Sequence, residues 1–258
     1  MSSLLADIAP PADSLPGGEA AAPPLGVVLV HGMRQDASAW EAQVAHLEAG
    51  GHHAVPLDLP GHGTRLAEQF TLERAWAHID DAVADLPEGT PVVLVGQSLG
   101  GYVSLGWAAR HATAGRDGGA RLAGVVASGC STDPLGKPVA LYRGVAAGIA
   151  RAGGAVRRRA DGAESGKGPA RPGWDLVTDA LGQLAGRSVL SDVAAVRSPV
   201  WLLNGARCHL RWQEQRFLRS AASGALVVVP RVGHDVHLEA PDVYNRVLTR
   251  ALSDFAHR

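Results

Sequence analysis

The chain has 258 residues, of which 46% are hydrophobic and 19% charged, and its formal net charge is −1. That balance supports a packed core and excludes an intrinsically disordered protein, while near-neutrality offers nothing for nucleic acid or an acidic surface to recognise. Two cysteines, Cys130 and Cys208, are too few to staple a secreted scaffold.

Residues 1–24 alternate Ala, Pro, Gly and acids, which predicts a flexible N-terminal arm. No Lys or Arg precedes Arg34, so the basic stretch that opens a signal peptide is missing, and no apolar run reaches the roughly 18 residues of a membrane span. The expected location is cytoplasmic. Residues 25–30 form a short β-branched run ending at His31-Gly32, the pattern of a buried strand. Trp40, Val44 and Leu47 follow at helical spacing until Gly50-Gly51 stops the helix. A second strand at 53–57 leads into the turn Pro60-Gly61-His62-Gly63. Thr71 is placed to cap a helix running to about Asp85, with Leu72, Ile79 and Val83 inward. Further strands are expected at 91–95, 122–127, 200–203 and 226–229, and helices from Leu99, over 212–222 and over 242–255. Strands alternating with helices predict parallel β-α-β units, here a mostly parallel sheet of about six strands flanked by helices.

One interval breaks the rhythm. About 70 residues separate the fourth and fifth strands, far more than one crossover helix needs. Residues 139–149 and 174–184 read as helices, and the Gly- and Arg-rich stretch 151–172 between them has little to bury. Residues 134–189 are therefore read as a small helical cap inserted in a core of 25–133 and 190–258. Arg157-Arg158-Arg159 is offset by Asp161 and Glu164 and has no stacking aromatics, so it reads as a solvated loop.

The chemistry concentrates in Gly96-Gln97-Ser98-Leu99-Gly100, between a strand and a helix. A nucleophile on so sharp a turn takes a strained backbone, and the flanking glycines let neighbouring chain approach. Ser98 is the candidate nucleophile. His31-Gly32-Met33 leaves the first strand, and the Met33 and Leu99 N–H groups form a candidate oxyanion hole, with His31 read as a loop brace. A serine hydroxyl needs a base, and His234 in Val232-Gly233-His234 follows the last strand. His237 competes for that role but lies where the next helix begins.

These motifs, with Asp58-Leu59-Pro60-Gly61-His62-Gly63, make the chain resemble the α/β-hydrolase superfamily over about residues 25–256. The resemblance implies that the family's first two strands are missing. It also places the first strand between the second and third, with the others in sequence. It further implies a triad acid three residues beyond Gly205, where this chain carries Cys208. A neutral thiol orients an imidazole weakly and hardly stabilises an imidazolium. Some relatives draw the acid from the loop after the strand that follows the nucleophile helix, which makes Asp133 the alternative. Asp235 would point away from the adjacent ring, and Glu214 would need an unusual kink to return. The family topology brings Cys130 and Cys208 to adjacent strand ends, where a disulfide is geometrically possible but a reducing compartment favours free thiols. No metal-ligand set converges, and no cofactor is expected.

Two functions follow. The first is a serine-nucleophile hydrolase of a small, fairly apolar ester, lactone or related acyl substrate, working through an acyl-enzyme. The second is a repurposed member of the fold, a cyclase, lyase or ligand binder, with a Ser98–His234 dyad and no standard acid.

Overall fold

The computed structural model of the chain describes residues 23–113, 122–135 and 173–257. The expected arm through residue 22, the helix at 139–149, the stretch 151–172 and the arginine run lie outside the described residues.

β1 (Gly26–Val30) is buried at every position, as a run of β-branched residues with sheet neighbours on both sides must be. It pairs in parallel with β2 (His53–Leu57) on one side and β3 (Val92–Gln97) on the other. β4 (Leu122–Ser128), β5 (Val200–Gly205) and β6 (Gly224–Val229) follow, giving the order β2-β1-β3-β4-β5-β6 with every pairing parallel. Pro56 lies on β2 at the sheet edge, where a missing N–H is tolerated. Strand order reverses between β1 and β3, so the loops leaving these two strands open a crevice at the C-terminal edge.

Alternation along β1 assigns the helices to two faces. Val28 and Val30 join the cluster built with α2 (Leu72–Ala84), α3 (Leu99–Thr113), α4 (Trp174–Ala185) and α5 (Val189–Ala195). Val27 and Leu29 join the opposite cluster, with Leu47 of α1 (Glu41–Ala49) and the Tyr244, Leu248 and Phe255 face of α8 (Pro241–Ala256). Thr71 caps α2 by accepting from the Arg74 N–H, as its sequence position predicts.

The expected strands all form, most of them one or two residues longer. The expected helix at 212–222 is shorter: α6 spans Glu214–Ser220, and Trp212 stays in the preceding loop with its N–H on Thr132 Oγ1. Two helices were not expected, α5 and the single turn α7 (Val236–Glu239). Both are too short for a periodic apolar face to stand out in sequence. The 189/190 border drawn between cap and core falls inside α5. Within the expected cap, α4 packs Leu176, Ala180 and Leu184 into the α2/α3 cluster, and Leu176 lies against Gly61 of the loop after β2.

Candidate active site

The β3–α3 turn is built around a conformation that L-residues seldom take. Ser98 has φ +51°, in the left-handed region, between β3 and the first residue of α3. Its N–H donates to Ser128 O at 2.7 Å, and its carbonyl accepts from Tyr102 N at 3.1 Å. Such a turn requires close packing of backbone on backbone. A Cβ on Gly100 would stand 2.0 Å from Val30 O, and one on Gly96 would stand 2.4 Å from Gly100 O. Gly101 has Cys130 Sγ 2.6 Å from where its Cβ would be. These glycines are requirements of space, and they explain why the motif reads as it does.

His234 reaches this serine from the loop after β6. Its Nε2 lies 2.9 Å from Ser98 Oγ. Burial, first, and the neighbouring His209, second, hold the imidazole down to about 4, with Glu239 opposing. The ring is therefore neutral at pH 7, the state in which it can take a proton. His209 lies against it with ring centroids 4.6 Å apart, an arrangement the sequence does not reveal.

At the far side of the imidazole, Cys208 Sγ lies 3.1 Å from Nδ1. Burial raises the Cys208 thiol above its ordinary range, although the Leu210 N–H points at the sulfur at 3.4 Å. A thiol in that condition is protonated at pH 7. Cys130 is also buried, and both thiols are free.

The carboxylates go elsewhere. Asp133 accepts from Ser188 Oγ at 3.0 Å and Val189 N at 3.0 Å, which makes it a cap for α5 rather than a partner of His234. Glu214 is held by Arg211 and Asn204 Nδ2. Asp235 accepts from Gln35 and Gln97, while the adjacent ring has Cys208 and Ser98 as its partners. His237 is buried beside Trp40 and Tyr244, with neither ring nitrogen hydrogen-bonded among the described residues. Burial holds it down to about 3.

The loop after β1 carries Met33 toward the same crevice and is braced from below. His31 Nε2 accepts from Leu59 N at 3.0 Å, and His62 Nε2 accepts from Arg34 N at 3.1 Å. Arg34 itself takes φ +63°. Asp58 ties the two loops by accepting from Ala37 N and Thr64 N. The Met33 and Leu99 N–H groups have no hydrogen-bond partner among the described residues. No group of three or more metal-binding side chains occurs among the described residues, and none of their helices is long and apolar enough to cross a membrane.

A parallel sheet reversing strand order beside a strained serine, with a histidine delivered from the last loop, defines a class. Residues 27–247 match the alpha/beta hydrolase family, and the chain belongs to it. Among curated proteins, "Probable esterase PIR7A" of Oryza sativa subsp. indica is 43% identical over 77 residues, which is 29% of each chain. The pimeloyl-[acyl-carrier protein] methyl ester esterase of Aromatoleum aromaticum is 41% identical over 85 residues, 33% of this chain and 32% of its own. Each match thus spans less than a third of the curated relative. A hydrolase from Pseudomonas aeruginosa PA01 superposes with TM-score 0.67 at 19% identity, covering 89% of this chain and 90% of its own, which speaks for the fold alone.

Proposed function

We propose that this protein is a serine-nucleophile hydrolase of small, fairly apolar esters, lactones or related acyl compounds. The observation that carries the reading is the 2.9 Å contact between a neutral His234 Nε2 and Ser98 Oγ on a strained turn. Ser98 Oγ attacks the acyl carbon while its proton passes to His234 Nε2. The carbonyl oxygen, now negative, is received by the Met33 and Leu99 N–H groups, at the N-terminal end of α3. The intermediate collapses, the C–O bond to the alcohol breaks, and the alcohol leaves with the proton from His234. Water then repeats the sequence on the acyl-enzyme, losing a proton to His234 and releasing the acid and the serine.

Esterase-named relatives support this substrate class, while the particular ester is part of the proposal. The reading includes residues 134–189 as a cap over the crevice and a reducing, cytoplasmic setting, the latter supported by two free thiols. A second reading, a cyclase, lyase or ligand binder on the same fold, is favoured by Cys208 standing where a carboxylate would stabilise the imidazolium.

The test is a fluorophosphonate probe with p-nitrophenyl butyrate turnover. The hydrolase reading expects labelling and turnover in the parent and neither in Ser98→Ala. A labelled protein whose substrates yield no hydrolysis product would favour the cyclase or lyase. An unlabelled parent would favour the binder.

A further inference from the structure

The serine, the histidine and the oxyanion loop come from three separate loops, and something must hold their relative positions to a fraction of an ångström. Asp235 is where the three meet. Its Oδ1 accepts from Gln97 Nε2 at 2.9 Å and from Gln35 Nε2 at 3.1 Å. Gln97 immediately precedes the nucleophile and also donates to His234 O at 3.2 Å. Gln35 belongs to the oxyanion loop, and its Oε1 accepts from Gly32 N at 3.0 Å. The histidine loop is secured once more from its own side. Glu239 accepts from Gly233 N at 2.8 Å and from Asp235 N at 3.3 Å.

The amide orientations follow from chemistry. A carboxylate and a backbone carbonyl only accept, so both glutamines must present nitrogen to them. Gln97 is fully buried and its Oε1 has no hydrogen-bond partner among the described residues, so the nitrogen's two donations are what the side chain contributes. Gly32 makes room for the assembly. A Cβ there would lie 2.1 Å from Gln97 Oε1 and 3.0 Å from Gln35 Oε1, pushing both side chains off Asp235.

We infer that Asp235 is a positioning residue for acyl transfer: gripped by Gln35 and Gln97, its carboxylate sets the oxyanion loop in register with Ser98 and His234. It touches neither substrate nor the imidazole ring. It acts through the Gly32–Gln35 turn on one side and the His234 carbonyl on the other. The inference rests on the hydrolase reading for its catalytic consequence, while the clamp itself is a property of the folded chain.

The experiment therefore has two arms. In the first, kcat and KM for p-nitrophenyl butyrate are measured for Asp235→Ala, Gln35→Leu, their combination and Asp235→Asn. Misplacing a reacting group by about 1 Å costs on the order of 100-fold, so each of the first two is expected to lower kcat by about 10- to 100-fold with little change in KM. The double variant should be no worse than the weaker single, because both break one linkage. Asp235→Asn keeps a carbonyl oxygen for both glutamines and should recover at least about tenfold over Asp235→Ala. In the second arm, native-state amide exchange is followed in residues 31–35 and 233–236. Asp235→Ala should speed exchange in both segments, and Gln35→Leu should do the same if the alanine variant fails to fold. Unchanged exchange in 31–35, or losses that simply multiply in the double variant, overturns the inference. A parent that neither turns over ester nor takes the phosphonate sinks the hydrolase reading, and the exchange arm then decides the clamp alone.

Discussion

Cys208 Sγ sits 3.1 Å from Nδ1 of His234, at the end of the ring opposite the 2.9 Å contact between Nε2 and Ser98 Oγ. Any group there decides which nitrogen carries the proton. A carboxylate only accepts, so it holds the proton on Nδ1 and leaves Nε2 free to act as base. A neutral thiol can instead donate, which puts the ring proton on Nε2, facing the serine from the wrong side of the exchange. Burial keeps the Cys208 thiol protonated, so both tautomers compete and the imidazolium gains no counter-charge.

Cys208→Asp is accordingly expected to raise ester hydrolysis by at least about tenfold, roughly 1.4 kcal/mol of transition-state stabilisation. It also has a signature in pH. In the proposed mechanism neutral His234 is the active form, so kcat/KM of the parent should fall as pH drops through about 4. An aspartate beside the ring favours the imidazolium and moves that acid limb upward by a unit or more. A pH–rate profile with the limb unmoved, or a variant no faster than the parent, would show that Cys208 is a bystander.

Under the proposed mechanism, Ser98→Ala should lower kcat by about 10⁴-fold or more with the fold intact. His234→Ala should be comparably damaging. His237→Phe should lower kcat far less, since that ring packs beside Trp40 and Tyr244 and makes no side-chain hydrogen bond among the described residues. Equal losses at 234 and 237 would reassign the base.

Asp133→Asn separates a cap from a catalytic acid. Losing the charged acceptor for Ser188 and Val189 should cost about 1 kcal/mol of stability, read as a lower Tm. kcat should stay within about twofold. A loss of kcat on the order of 10⁴ at unchanged Tm would instead restore Asp133 as the acid.

Stability should fall on acidification between pH 6.5 and about 4. His31 and His234 are held down to about 4 and His237 to about 3, burial being the first cause in each. Below 6.5 the unfolded chain binds protons that the folded chain does not. Folding is thus weakened by up to about 1.4 kcal/mol per pH unit for each such histidine. The contribution is fully present above 6.5. Denaturant melts at pH 7 and pH 5 measure it, and His237→Phe should flatten the slope; an unchanged slope would mean that His237 does not contribute.

Much of this arrangement is legible in the residues. Unbroken apolar runs such as Val27–Val28–Leu29–Val30 must be buried on both faces, and their alternation with helix-length segments dictates a parallel sheet. Gly96, Gly100 and Gly101 announce a turn because only glycine fits beside Gly100 O, Val30 O and Cys130 Sγ respectively. The acid's place at position 208 is what the family resemblance implies, and Cys208 Sγ lies 3.1 Å from His234 Nδ1. What the residues do not announce is where a polar side chain spends its hydrogen bonds. Asp133, Asp235 and Glu214 are three carboxylates near one crevice, and only their partners, 55, 200 and 138 residues away or one turn along, tell a helix cap from a clamp from an ion pair. Gln35 and Gln97 carry no periodic signal at all, and His209 becomes a neighbour of His234 only when two loops fold over one sheet edge. Local sequence determines strands and turns because those depend on sterics and burial within a few residues. Tertiary structure decides the second contacts because a hydrogen bond between side chains is set by where distant backbone carries them.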